Sequence, residues 1–306
     1  MLLAIKLLIV IGAYYFIYQK IVYNEKLPFS EFVFQIKHVL FSNNKTVVIL
    51  VFFSLINWVF EVLKWQNLVL AVKKITFTEA LQQSLGSLTA SLLTPNKIGE
   101  YGAKAMFYSK DKRKKIVLLN LIANVTQMFI TILFGVIGVV YVLIKYSLEV
   151  PILQFNWFWV ILFVVLSIGW WFFFAEKTVL FYDKVIRFLK NKALPLITRT
   201  ILYSILKYIV FSHQFYYLLL IFGVKTDYVI LMQLIFFMYF IASVIPSLPM
   251  FDWLVKGSVA VFVFSWIGVQ EEVIISITLF MWLYNFAIPS IIGSYFVFNF
   301  KYPLKK

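Results

Sequence analysis

The sequence predicts an all-α, polytopic integral membrane protein. Of its 306 residues, 63% are hydrophobic and 13% are charged, whereas a soluble domain is about 45–50% apolar and about 25% charged. The apolar residues form several runs near the roughly 20 residues that a helix needs to cross a bilayer. Lysines and arginines cluster between these runs. We therefore expect about eight transmembrane helices and one or two re-entrant segments, in a single domain of residues 1–306.

The predicted spans are long apolar runs with few charges. The first run ends in aromatic residues, which suit a membrane interface, and it is interpreted as an uncleaved span. Stretch 79–94 is half polar, and stretch 256–270 is apolar but short. If the second of these crosses, the number of spans is eight. The seven long runs are 2–18, 46–63, 116–144, 156–175, 200–222, 228–248 and 272–298.

The basic residues predict the orientation. Loops 104–115 and 176–199 are rich in Lys and Arg, whereas loops 145–155 and 223–227 are nearly free of them. Because basic loops favour the cytoplasmic side, we expect both basic loops and both termini to be inside. Stretch 79–94 has basic residues before and after it. A re-entrant path keeps both flanks inside, so it fits this pattern better than a crossing.

Composition and motifs also limit the function. The net charge of +15 is explained by cytoplasmic loops, and no nucleic-acid-binding motif accompanies it. The chain has no cysteine, which excludes disulfides and cysteine metal sites. The sequence shows no HExxH motif, no glycine-rich phosphate loop and no serine elbow. We therefore expect no metal, no cofactor and no nucleic-acid partner, and we assign no catalytic residue.

One segment, TPNKIGEYGAKA at 94–105, interrupts the apolar pattern. Pro95 suits a helix start, and Gly99 permits a close approach of another backbone or a ligand. Glu100 and Lys104 are four residues apart, so they share one face of a helix. Charges at membrane depth are costly, which makes this pair a candidate for function.

The segment SVIPSLPMFDWLVKGSVA at 243–260 has the same order of residues. In both segments a serine precedes a proline, an acid follows the proline, and a lysine lies four residues after the acid. The acid and lysine of the second segment are Asp252 and Lys256. Two interrupted segments in corresponding halves are typical of inverted repeats with a site at their interface. A chance match is the alternative, because the similarity is loose.

If the repeat holds, it relates halves 1–150 and 151–306. The motif-bearing segments 79–104 and 243–270 should then approach each other near mid-membrane. This arrangement would place Glu100 and Lys256 in one polar cavity.

Other polar residues lie within the predicted spans. Charges in spans usually face a cavity, which favours a cavity for Glu61 and Lys207. Asn120, Asn124 and Gln127 form one helical stripe, for which hydrogen bonding between helices is the alternative role. The cavity-lining candidates are Glu61, Asn120, Asn124, Gln127 and Lys207.

Two motifs indicate a family. FEVLKWQNL at 60–68, followed by TPNKIGEYGAKA, resembles the lysylphosphatidylglycerol synthase transmembrane family. This is the flippase-like membrane domain of bacterial aminoacyl-phosphatidylglycerol synthases, and it also occurs as a stand-alone membrane protein. The second motif is similar to the family's proline–basic–Ile–Gly–Glu segment with a downstream basic residue. The match covers Pro95, Lys97, Gly99, Glu100 and Lys104.

The second half departs from the family. The family often has a Pro-Gly-Gly-rich turn followed by Glu there, whereas this chain has PSLPMFDWLVKG. The resemblance makes Pro246, Asp252 and Lys256 the nearest equivalents of the family's residues. The sequence carries no soluble aminoacyl-transferase domain. The resemblance therefore implies lipid handling rather than lysine transfer to phosphatidylglycerol.

The resemblance implies a lipid flippase or transporter in the bacterial inner (plasma) membrane. Its expected partners are membrane phospholipids or a lipid-linked substrate, with an anionic headgroup as the group recognised. Two alternatives are a membrane enzyme that acts on a lipid-linked sugar and a non-transporting accessory protein of envelope assembly. The headgroup-binding candidates are Pro95, Lys97, Gly99, Glu100, Lys104, Asp252 and Lys256.

Overall fold

The computed structural model describes residues 34, 44–92, 94, 98–145, 193–245 and 252–300. Within these residues every regular element is helical, which confirms the all-α class. The last helix contains a π-helical turn at Leu283–Ala287. The helices are α1 Asn44–Val69, α2 Phe77–Ser91, α3 Ile98–Met106, α4 Lys110–Lys145, α5 Ala193–Ile221, α6 Tyr228–Val244, α7 Asp252–Ser265 and α8 Glu271–Phe298.

Four of the described helices are long and apolar enough to cross a membrane, namely α1, α4, α5 and α8. They correspond to the predicted spans 46–63, 116–144, 200–222 and 272–298. Helix α6 is apolar but has 17 residues. The predicted spans 2–18 and 156–175 lie outside the described residues. The polytopic class is confirmed, and the number of spans stays a prediction.

Helices α2 and α3 form a short hairpin. The phenol of Tyr108, just after α3, donates a hydrogen bond to Gln83 Oε1 of α2 at 2.9 Å. The end of α3 therefore lies beside the first half of α2, and both open ends of the hairpin are on the same side. Helix α2 has 15 residues, which is about 22 Å and shorter than the roughly 30 Å hydrocarbon core. The geometry fits a re-entrant path, which stays a prediction.

Helices α6 and α7 form a second hairpin. Helix α7 ends at Ser265, and Gly268, with φ of +72°, turns the chain toward α8. Stretch 256–270 is therefore the main part of a helix plus a turn. Helix α7 has 14 residues, which is about 21 Å and close to the length of α2.

Glycines allow both hairpins to pack closely against long helices. Gly293 of α8 lies so close to the Leu85 carbonyl of α2 that a Cβ atom would collide with it. A Cβ atom on Gly138 of α4 would likewise collide with the backbone of α6 at Phe237. Small residues at helix contacts let backbones approach closely in membrane proteins. These contacts hold α2 close to α8 and α6 close to α4.

Candidate functional site

Two adjoining cavities lie among the helices, with volumes of about 600 and 140 Å³. Helices α6 and α7 contribute to the wall of the larger cavity, and α2 and α3 to the wall of the smaller one. The cavities have part of their lining in common, so together they form one polar region. The shared residues are Asn57, Asn124, Gln127, Lys207, Asn285 and Phe286.

The ion pair on α3 lies in the wall of the smaller cavity. Lys104 Nζ is 2.6 Å from Glu100 Oε1 and donates a hydrogen bond to Asn120 Oδ1 at 2.8 Å. It also lies 4.2 Å from the centroid of the Trp65 ring, within the range of a cation–π contact. The Lys104 side chain is 1% exposed. Its ammonium group is therefore held by three neighbours and sealed from solvent.

The ion pair on α7 lines the larger cavity. Lys256 Nζ is 2.6 Å from Asp252 Oδ2, and 6.0 Å from the centroid of the Tyr239 ring. The Lys256 and Asp252 side chains are 39% and 35% exposed. This pair is accessible from the cavity, in contrast to the pair on α3.

A third cluster joins α1 and α5. Glu61 Oε2 forms ion pairs with two lysines: it lies 2.8 Å from Lys64 Nζ and accepts a hydrogen bond from Lys207 Nζ at 2.5 Å. Lys64 also donates a hydrogen bond to Gln127 Oε1 at 3.3 Å. One carboxylate oxygen is thus the ion-pair partner of two ammonium groups on different helices.

The described charged residues around the two cavities carry an excess of one positive charge. Four lysines face three carboxylates: Lys64, Lys104, Lys207 and Lys256, against Glu61, Glu100 and Asp252. A cavity between helices with this balance favours an anionic ligand, because charges interact more strongly there than in bulk water.

An amide network crosses the shared wall beside the π-helical turn. Asn57 Nδ2 donates to Asn285 Oδ1 at 3.1 Å, and Asn285 Nδ2 donates to Gln214 Oε1 at 2.7 Å. The indole of Trp58 donates to the Asn285 carbonyl at 3.2 Å. The π-turn changes the backbone pairing of α8, and side chains of α1 bind the carbonyls of this turn. Such turns are frequent at functional sites.

The structure places the predicted cavity-lining residues in two groups. Glu61, Asn124, Gln127 and Lys207 line the cavities. Asn120 does not line either one: its side chain is fully buried and lies behind the wall, where it accepts the hydrogen bond from Lys104. The stripe on α4 therefore has both roles considered for it: Asn124 and Gln127 line a cavity, and Asn120 forms a hydrogen bond between helices.

The predicted headgroup-binding residues are only partly brought together. Glu100 and Lys104 line the smaller cavity, and Asp252 and Lys256 line the larger one. Gly99 lies in the first turn of α3, where its N–H donates to Thr94 Oγ1 at 2.8 Å and a Cβ atom would crowd the Ala90 carbonyl. Pro95 and Lys97 lie outside the described residues.

The two motif-bearing segments contribute to one apolar cluster. Leu88 and Leu92 at the end of α2 share an apolar cluster with Trp253 at the start of α7. Glu100 and Lys256 therefore lie in adjoining cavities rather than in a single one. The relation of the two halves as an inverted repeat stays a prediction.

Sequence reasoning missed several residues of the site, among them Trp65, Tyr239 and Asn285. Trp65 lies within FEVLKWQNL, where the motif indicates no role for it. Tyr239 lies in a run of apolar and aromatic residues, which does not set it apart. Asn285 could have been found, because it is a lone amide in the apolar run 272–298. A polar residue in such a run usually faces other helices.

The fold and the site define a class: a polytopic, α-helical membrane protein with a charged cavity between its helices. Within this class, the chain belongs to the family described as the lysylphosphatidylglycerol synthase TM region, whose model matches residues 3–293. The resemblance expected from the two motifs is thereby confirmed. No curated protein and no solved structure matches the chain. Family membership places the protein in the membrane, in lipid and envelope biology.

Proposed function

We propose that the protein is a flippase-like transporter, which binds an anionic lipid or lipid-linked headgroup in the joined cavities and moves it between the leaflets of the bacterial inner membrane. The observation that carries this proposal is the charged cavity of about 600 Å³ between apolar helices. Charged groups at membrane depth are costly and are usually retained for function.

The charge balance supports an anionic headgroup. A phosphodiester carries one negative charge, which would offset the one positive charge in excess among the described lining residues. A charged headgroup is costly to move through hydrocarbon alone. A cavity that supplies lysines and amides along the path lowers that cost.

Apolar residues at the edge of the larger cavity support a lipid rather than a small soluble anion. Met128, Val244 and Ile245 line this cavity, and their side chains are exposed. An acyl chain could lie against such a surface while the headgroup occupies the polar region. The proposal includes the re-entrant placement of the α2–α3 hairpin and the cytoplasmic position of both termini, which the basic loops favour.

The test is leaflet-sided chemical labelling of headgroups in proteoliposomes that contain a panel of anionic and neutral lipids. We expect the wild-type protein to move an anionic lipid, and Lys256→Gln to reduce the rate. The matched control is Lys225→Gln, which removes the same charge at an exposed position between α5 and α6. Wild-type protein that moves no lipid of the panel would rule out the transport function.

A further inference from the structure

The four lysines among the described cavity residues differ in exposure and in the partners that they hold. Lys104 has three donors, and Glu100, Asn120 and the Trp65 ring already surround its ammonium group. Since its side chain is 1% exposed, a ligand could reach it only if the wall rearranged. Lys104 is therefore suited to hold α3 against α4 and α1.

Lys64 is similarly confined. Its side chain is 2% exposed, and it binds both Glu61 of its own helix and Gln127 of α4. Lys256 is accessible, but it has a carboxylate partner, Asp252, on its own helix. An anion that took Lys256 from Asp252 would compete with a local ion pair.

Lys207 is in a different position. It lines both cavities, and its side chain is 21% exposed. Its partner Glu61 also binds Lys64. If the ammonium group of Lys207 turned toward a ligand, Glu61 would still be neutralised by Lys64. The exchange would therefore leave Glu61 compensated, whereas an uncompensated charge is the usual cost of breaking a buried pair.

We propose that Lys207 is the residue that binds the anionic oxygen of the ligand, and that Glu61 competes with the ligand for Lys207. The chemistry recognised is a phosphate oxyanion, whether from a lipid headgroup or from free phosphate. The lipid part of this inference rests on the proposed function, whereas the assignment of Lys207 and Glu61 rests on the ion cluster alone.

The competition gives the two residues opposite effects. Lys207→Gln should weaken binding of the anion by about tenfold or more. Glu61→Gln should strengthen it by a similar factor, because the anion loses its competitor for Lys207 while Gln keeps the size of the side chain. A cluster with only a structural role would give weaker binding in both variants.

The experiment uses the full chain in nanodiscs of phosphatidylcholine. Phosphatidylglycerol, inorganic phosphate and added phosphatidylcholine are titrated separately, and binding is measured by native mass spectrometry and by the ligand-dependent shift of the unfolding temperature. The variants are Lys207→Gln and Glu61→Gln, with Lys225→Gln as the matched control. Lys207→Arg keeps the charge and should bind the anion as the wild type does, which separates loss of charge from loss of fold.

Opposite effects of Lys207→Gln and Glu61→Gln on phosphatidylglycerol or phosphate would support the assignment. Weaker binding in both variants, unchanged binding in Lys207→Gln, or no anion binding by the wild type would overturn it. If the protein bound phosphate but not phosphatidylglycerol, the assignment of Lys207 as the anion-binding residue would stand, and a lipid headgroup as the ligand would be contradicted. Transport in proteoliposomes that survives Lys207→Gln would contradict this inference and leave the transport function standing.

Discussion

The hairpins α2–α3 and α6–α7 use the same local pattern. Near the end of the first helix, a serine hydroxyl donates to the carbonyl three residues earlier, Ser91 to Leu88 at 2.8 Å and Ser243 to Phe240 at 2.7 Å. The second helix then carries an acid and a lysine four residues apart, with 2.6 Å between the charged atoms in both hairpins. The two regions are therefore alike in local geometry.

They differ in what surrounds the ion pair. Lys104 of α3 is covered by Asn120 and the Trp65 ring and is 1% exposed, whereas Lys256 of α7 is 39% exposed and faces the larger cavity. A buried pair is expensive to break from one side, and an exposed pair is worth little. The same acid–lysine pair can therefore stabilise the fold in one hairpin and remain accessible to a ligand in the other.

The largest expected effect is at the buried pair. Glu100→Gln removes the countercharge of Lys104 and keeps an amide oxygen as acceptor, so we expect a loss of about 3–5 kcal/mol in the free energy of unfolding. Thermal unfolding in detergent measures it. The control is the double variant Glu100→Gln with Lys104→Met, which removes both charges and should recover much of the loss. An unchanged unfolding temperature in the single variant would show that the pair on α3 is not structural.

The second effect concerns how tightly each hairpin packs against α8. Gly293→Ala places a methyl group against the Leu85 carbonyl and the Thr89 hydroxyl of α2, and such overpacking typically costs about 1–3 kcal/mol. Gly257→Ala on α7 meets only Thr278 Oγ1 at 3.2 Å as its close neighbour, so its cost should be smaller. Both are measured by thermal unfolding. Equal losses would mean that the two hairpins are packed with the same tightness.

A third effect concerns the helix starts. In α2, Glu79 N–H donates to Thr76 Oγ1 at 3.2 Å and Thr76 N–H donates to Glu79 Oε2 at 2.7 Å, which is a capping box. Thr76→Ala should lower the free energy of unfolding by about 1 kcal/mol. The matching change in α6, Asp227→Ala, removes a single bond to Val229 N–H and should cost no more. A larger loss at Asp227 would reverse this part of the comparison.

The smallest expected effect on stability is at the exposed pair. Asp252→Asn breaks a pair whose side chains are 35–39% exposed, and such pairs contribute about 0.2–1 kcal/mol. The unfolding temperature should therefore stay close to that of the wild type, while transport in proteoliposomes changes. If Asp252→Asn destabilised the protein as much as Glu100→Gln, both pairs would be structural, and the contrast between the hairpins would fail.

Some parts of the site could be predicted because they depend on spacing within one helix. Glu100 with Lys104, and Asp252 with Lys256, pair as their four-residue separation indicates. The connection between Glu61 and Lys207 could not be read in this way, because 146 residues separate them along the chain. Asn120 shows the same limit: its stripe was predicted, but its place behind the cavity wall depends on how α3 packs against α4.

The class of protein, the family and the positions of four long helices could be predicted from the sequence, because apolar composition, run length and local motifs act along the chain and need no partner. The packing of the helices determined that Lys104 is buried against Trp65 and that Lys256 is exposed to a cavity. It also decided that Glu61 serves two lysines and that Asn285 joins α8 to α1 and α5. The physical reason is that burial and ion pairing depend on which helix faces which, and helical periodicity gives the faces of each helix without naming the partner that covers them.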